Sequence, residues 1–373
     1  MKLWKAPLAA LMAAGMLLSG ATVSLAGGQQ HQTGRPGIPW RNVGPGWVLT
    51  QYTAAVPESG HGGPQTLYLI SPGGSRYRLA WWPNSQNAPQ LVAWSPDGAR
   101  ALFQVFTSHP KIEQMTLATG AITTFSLPGD WTPVGYTTPH GRDIVASNVA
   151  GQVQELARFD LNGRLVARLG SSVTGQALYT PDGTAFVTAT DRGVKLVSNS
   201  GSLIRQLPVP HTAARSCNAA RWWNAGTVLV SCGQPNAAAT RLWLVPVSGR
   251  QPTALTPPRG PTSQDLGDIG AWQLRSGLYL QGAGPCGVLY IFRQAANGAI
   301  SLVHVPHTIG DDAHVLTASG SRLLVQAPTS CTGSNSLFWF NPAGGAEQWL
   351  VRAPGNVQGV TMAIPFYSRE NAF

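Results

Sequence analysis

The stretch LVAWSPDGARALFQVF, Leu91 to Phe106, followed by IEQMTLATGAITTFSL, Ile112 to Leu127, decides the fold. Short apolar runs with period-two alternation are broken by turns that end in glycine. No amphipathic interval of helical period lies between them, so the unit is an antiparallel meander of four strands. The same phrase recurs along the chain, with equivalent turn glycines at Gly98, Gly141, Gly183, Gly226, Gly277 and Gly320.

These glycines are separated by 43, 42, 43, 51 and 43 residues. A repeat of about 40 to 50 residues built only of strands matches a β-propeller blade rather than a helical solenoid. Six full units are visible. WVLTQYT, TLYLI and RYRLA supply three more strands at the N-terminal side, and GVTMAIPFY supplies one at the C-terminal side. Pooling them completes a seventh blade and closes the ring without unpaired inner edges. The expected fold is all-β: a single seven-bladed propeller over residues 40–373, with six or eight blades as the alternatives left by the longer interval from Gly226 to Gly277.

AWSPDGARALF and YTPDGTAFVTA resemble the PD40, or WD40-like, repeat of TolB-type propellers. The resemblance implies a TolB-like propeller and transfers no activity. Asp97 and Asp182 read as turn residues, since Asp before Gly suits a tight hairpin turn. His140 and Asn224 hold similar places in degenerate copies.

Composition agrees with strands and turns. The chain has 373 residues, with Gly 43, Pro 29 and Trp 13, and only 11% of it is charged, against about 25% in average domains. Lys2 and Lys5 precede an uncharged stretch and the small-residue site Ser24-Leu25-Ala26, the pattern of a secretory signal peptide over residues 1–26. An uncleaved anchor is the competing reading. Residues 27–39 form a Gly/Gln/Pro-rich segment ahead of the propeller. The expected location is secreted or extracytoplasmic, periplasm or cell surface, with no transmembrane span after cleavage. Without Lys2 and Lys5 the balance is 23 basic to 15 acidic side chains. They are scattered rather than clustered, so no nucleic-acid partner is expected. Few carboxylates also imply few ion pairs to lose in acid, hence tolerance of low pH.

Four cysteines in an exported chain invite pairing. Cys217 and Cys232 lie equally far from a turn near Asn224 and Ala225, which would set them opposite each other in a hairpin. Cys286 and Cys331 remain, in loops of successive repeats, and are expected to pair.

No nucleophile elbow, P-loop, haem attachment or dinucleotide-binding turn is present, and no catalytic residue is assigned. Loops joining the outer strand of one blade to the inner strand of the next converge at one axial face. They are expected to present Trp81, Trp82, Asp130, Trp131, Arg215, Asp265, Asp268, His307, Asp311 and Asp312 to a ligand or partner. Such a cluster would make an acidic, aromatic-rimmed patch, unless the Asp residues cap loop amides. In VHVPHTIGDDAH, His304 is expected in an outer strand, and His307, Asp311 and Asp312 are weak metal candidates beside His314. No cofactor is otherwise expected. Trp47, Trp94, Trp243, Trp272 and Trp339 read as core, and Trp81, Trp82 and Trp131 as loop residues open to contact. The leading reading is a non-enzymatic, monomeric platform for an envelope or extracellular protein, peptide or polysaccharide. The alternatives are a hydrolase or lyase, metal-assisted or not, at the axial opening, and a carbohydrate-binding propeller.

Overall fold

A computed structural model describes residues 37–54, 63–107, 111–150, 153–172, 176–190, 193–210, 217–233, 240–257, 267–284, 287–328 and 334–362. Blade 1 holds β1 (Val48–Ala54), β2 (Gln65–Ile70) and β3 (Arg76–Trp82). Blade 2 holds β4 (Gln90–Trp94), β5 (Arg100–Val105), β6 (Lys111–Thr116) and β7 (Ile122–Phe125). Blade 3 holds β8 (Thr132–Tyr136), β9 (Asp143–Ala150), β10 (Val153–Asp160) and β11 (Leu165–Ser172). Blade 4 holds β12 (Leu178–Tyr179), β13 (Ala185–Thr190), β14 (Gly193–Ser198) and β15 (Leu203–Gln206). Blade 5 holds β16 (Cys217–Asn224), β17 (Thr227–Gly233), β18 (Thr240–Pro246) and β19 (Thr253–Ala254). Blade 6 holds β20 (Asp268–Leu274), β21 (Gly277–Ala283), β22 (Leu289–Gln294) and β23 (Ile300–Leu302). Blade 7 holds β24 (His314–Ser319), β25 (Arg322–Pro328), β26 (Asn335–Phe340) and β27 (Glu347–Val351), and β28 (Gly355–Met362) follows it.

Each blade is a four-stranded antiparallel sheet, and the first runs β28-β1-β2-β3. The C-terminal strand therefore becomes the innermost strand of blade 1, paired antiparallel to β1 from Val48↔Met362 to Ala54↔Gly355. The pooled seventh blade is observed. β28 starts four residues before the GVTMAIPFY reading, and residues 363–373 lie outside the described residues, as do residues 1–36 with the signal segment.

The core is a ring of seven interfaces. Seven apolar clusters each draw from two neighbouring blades: Leu49 and Trp82 of blade 1 meet Trp94 and Phe103 of blade 2, while Leu324 and Trp339 of blade 7 meet Val48 and Ile70 of blade 1. Period two in the second strand separates two cores rather than core from water. Phe103 faces blade 1, whereas its neighbour Leu102 joins Tyr136 and Ile144 of blade 3. A strand buried on both faces has to be apolar throughout, which is why ALF, AFV and LLV recur in β5, β13 and β25. Trp47, Trp94, Trp272 and Trp339 are buried as expected, and Trp243 is half-buried against the same kind of cluster.

The Asp-Gly turns are structural. Asp97 Oδ1 accepts the Ser95 hydroxyl at 2.5 Å and the Ala99 amide at 3.0 Å, and Asp182 does the same with Thr180 at 2.6 Å and Thr184 at 3.1 Å. Gly183 sits at φ 70 with the Thr138 carbonyl where a Cβ would lie, so the turn of blade 4 nests on that of blade 3. Arg100 continues the ring, pairing with Asp97 at 2.9 Å and donating to the Gly141 carbonyl of the next turn at 3.0 Å.

Cys217 and Cys232 are directly opposed in the β16–β17 register with Cα atoms 4.1 Å apart, and they are bonded. Cys286 and Cys331 lie outside the described residues.

Candidate functional site

Strand direction sorts the connections onto two faces. First-to-second and third-to-fourth strand turns lie on one face. Second-to-third strand loops and the links between blades lie on the other, called here the loop face.

Next to the axis, the innermost strands share a device. Register breaks leave unpaired residues in six of them, among these Val92 in β4, Val134 in β8, Ala220 in β16, Ile269 in β20, Leu316 in β24 and Gln358 in β28. Such bulges re-aim side chains. All six are at least partly exposed, and five are apolar. Three of them, Val92, Ala220 and Leu316, pack against the apolar clusters between blades.

The residues expected at the axial loops are dispersed. Trp81 and Trp82 belong to β3, and Trp82 is 1% exposed, edge-on to Phe103 at 6.1 Å between ring centres. Trp131 is 8% exposed, packed on Phe159 at 5.4 Å with the Arg168 guanidinium over its ring. Neither Trp82 nor Trp131 is a free loop ring, because both face a neighbouring strand across an apolar interface. Asp130 is exposed. Asp268 begins β20 and is buried, and its carbonyl accepts the Ser231 and Thr240 hydroxyls at 3.0 and 2.7 Å. Arg215 and Asp265 lie outside the described residues.

The VHVPHTIGDDAH segment is a self-stapled loop. β23 ends at Leu302, so His304 lies beyond the strand, contrary to expectation. Asp311 lies 2.7 Å from His304 Nδ1, a pair when the imidazole is protonated, and accepts the Val305 amide at 2.9 Å, and Asp312 accepts the Leu289 amide at 2.9 Å. Both carboxylates do the amide capping that competed with the ligand reading. Among the described residues no group of three or more His, Cys, Asp or Glu side chains could hold a metal ion.

His307 is brought somewhere else. At φ 58, a left-handed conformation, it turns out of the loop toward the outer strands of blade 7. There it lines a cleft of about 390 Å³ with Ser336 of β26, Trp349 of β27, Arg352 and Ala353. Trp349 organises the cleft, with Phe338 at 4.7 Å, the His307 ring at 5.7 Å and the Arg352 guanidinium 4.7 Å from its ring centre. His307 Nε2 is 3.8 Å from Glu347 Oε2, a pair when the imidazole is protonated. Burial raises the Glu347 carboxyl above the usual carboxylate range, while His307 and Arg352 pull it back. The closing seam fixes the backbone here: the Tyr52 hydroxyl of β1 lies 3.0 Å from the Arg352 carbonyl and 2.6 Å from that of Pro354, able to donate to either, and Ser336 Oγ accepts the Ala353 amide at 3.0 Å. Sequence reasoning named His307 but missed Ser336, Trp349 and Arg352. No motif marks them, and their meeting depends on how a loop of blade 6 folds over blade 7.

A further missed residue is Arg221 of β16, between the Trp223 and Trp272 rings at 5.8 and 5.5 Å. Burial pushes it down to about 10, so it stays cationic at neutral pH.

No protein-family model matches the chain, and no curated protein sequence matches it. Solved structures do. The β-propeller domain of the Trilobed protease from Pyrococcus furiosus is 12% identical with a TM-score of 0.53, covering 84% of this chain and 96% of that one. The fold is that of known propellers. A prolyl endopeptidase is 12% identical with a TM-score of 0.54, covering 85% of this chain but 51% of its own. TolB from Acinetobacter baumannii is 15% identical with a TM-score of 0.45, covering 85% of this chain and 66% of that one. The chain thus spans half to two thirds of the length of these last two proteins. The strand repeats and the solved structures agree on a β-propeller fold.

Proposed function

We propose that this propeller is an exported, monomeric, non-enzymatic platform that engages an envelope or extracellular protein or peptide through its loop face. The observation that carries the reading is a set of exposed apolar side chains at that face on adjacent blades. Phe106, just after β5, is 67% exposed, and Val149 near the end of β9 is 65% exposed. Phe106 and Val149 occupy matching places in blades 2 and 3. Large apolar side chains grouped at one face favour burial against a partner. The Cys217–Cys232 bond supports an oxidising compartment. Among the described residues no helix is long and apolar enough to cross a membrane. The hydrolase or lyase alternative needed Asp and His residues meeting near the axis, yet Asp311 and Asp312 serve main-chain amides and Asp268 is buried in its strand. The reading requires no cofactor.

The test is site-specific photocrosslinking in cells. Probes at Phe106 and Val149 are expected to trap the same protein, and a probe at Asn297, an exposed turn residue of the opposite face, is expected not to trap it. Equal capture from both faces, or none from the loop face, overturns the reading.

A further inference from the structure

We infer that the blade 7 cleft lined by His307, Ser336, Trp349, Arg352 and Ala353 is a binding site for a carboxylate-bearing ligand, with Arg352 as the group that recognises the carboxylate. The inference concerns a different surface from the loop face and does not rest on the platform reading. Three observations carry it. The cleft is a cavity of about 390 Å³, within the range of small-ligand pockets of roughly 300 to 1,000 Å³.

The second observation is the state of Arg352. Its guanidinium lies over the Trp349 ring at 4.7 Å, and among the described residues it donates no side-chain hydrogen bond. Stacking holds the planar fork in place while leaving its N–H edges for a ligand. A guanidinium so oriented matches a carboxylate with two parallel hydrogen bonds, which a lysine ammonium cannot do. Tyr52 and Ser336 fix the main chain on either side of it, so little ordering remains to be done on binding.

The third is His307. A non-glycine residue at φ 58 occupies a sparsely populated backbone region, and such conformations persist where the surroundings impose them. Here the loop is stapled by Asp311 to Val305 and by Thr308 to the Val305 carbonyl at 2.8 Å. The staples direct an exposed imidazole to the cleft, where it supplies a second donor. Trp349 and Ala353 give the apolar wall for the body of the ligand. Glu347 stands behind His307, nine-tenths buried. Burial raises its carboxyl, while the neighbouring His307 and Arg352 lower it.

A carboxylate could come from a peptide C-terminus or from an acidic sugar. Isothermal titration of the full chain with acetyl-trialanine acid, its C-terminal amide, glucuronate and glucuronate methyl ester separates the sources. Saturable binding of either acid, with its amide or ester at least about tenfold weaker, is expected. Arg352→Ala should weaken that binding by about tenfold or more, and Arg352→Lys should recover only part of it. His307→Ala should weaken it less. Thermal melting of each variant checks that it is folded. Binding of the peptide acid alone, the sugar acid alone or both supports the inference and names the source. No saturable binding of any acid at about 10 mM, equal binding of the neutral forms, or unchanged binding in folded Arg352→Ala overturns it.

Discussion

Gln51 of β1 accepts the Leu91 amide hydrogen of β4 at 2.8 Å through its side-chain oxygen and donates to the Pro89 carbonyl at 2.5 Å through its nitrogen. One side-chain amide thus copies a β-ladder partner for the strand of the next blade. Gln281 of β21 repeats the arrangement in blade 6, accepting from the Val315 amide at 2.6 Å and donating to the Ala313 carbonyl at 2.9 Å. Both glutamines are 1% exposed or less. Innermost strands lack a sheet neighbour on their axial side and enter from loops, so their first backbone groups need a partner from elsewhere. Gln326 and Asn335 do related work at the closing seam, where both reach Val357 of β28.

Replacing Gln51 or Gln281 with Leu keeps the volume and strands two buried backbone groups. Each variant is expected to lose about 2–4 kcal/mol, read by denaturant unfolding. Their effects should add, since the two sit at different blade interfaces.

The turn glycines separate strain from collision. Gly98 has φ 74 with open space around its missing Cβ, whereas Gly183 has the Thr138 carbonyl there. Gly98→Ala should cost about 1 kcal/mol. Gly183→Ala should cost clearly more, because two turns must separate. A matched melting pair decides it, and equal losses would remove the nesting of turns as a stabilising feature.

Trp131→Ala should destabilise by about 3 kcal/mol or more, because the ring is buried against Phe159. A loss of partner binding without a fall in melting temperature would restore the contact role that the sequence suggested.

Non-reducing peptide mapping should recover Cys217 linked to Cys232. Cys217→Ser is expected to cost about 3 kcal/mol, the chain-entropy value for a 15-residue loop. We propose that Cys286 pairs with Cys331, and the same map tests it: a Cys286–Cys331 peptide supports the pairing, and free thiols at both refute it.

Acid should disturb this protein little. Burial raises the carboxyls of Glu113, Asp143 and Glu347, whereas Asp182 is lowered, chiefly by its bond from the Thr180 hydroxyl. A raised carboxyl binds its proton earlier in the folded state, so its contribution improves as pH falls through the folded value. Of these four, the lowered Asp182 alone loses stability there. Glu347→Gln should therefore raise the melting temperature at pH 7, with the gain fading below about pH 4, where the unfolded carboxyl is protonated too. A gain that is unchanged at low pH would contradict the burial account.

Sequence alone determined the blades. Alternation, Asp-Gly turns and a spacing near 43 residues are local, and each blade is a contiguous meander, so strand order and even the Cys217–Cys232 register follow from neighbours along the chain. Closure was legible too, since an incomplete unit at either end has one geometric use. Tertiary structure alone decided which side chains meet between blades. Trp82 and Trp131 look like loop residues in the sequence, and neighbouring blades bury them. Asp311 and Asp312 look like ligands, and both cap main-chain amides, Asp311 within its own loop and Asp312 at the start of β22. His307 meets Trp349 and Arg352 about forty residues downstream because a loop of blade 6 packs on the face of blade 7. Contacts across blade interfaces depend on the side-chain packing of two separate meanders, which no spacing within either one encodes.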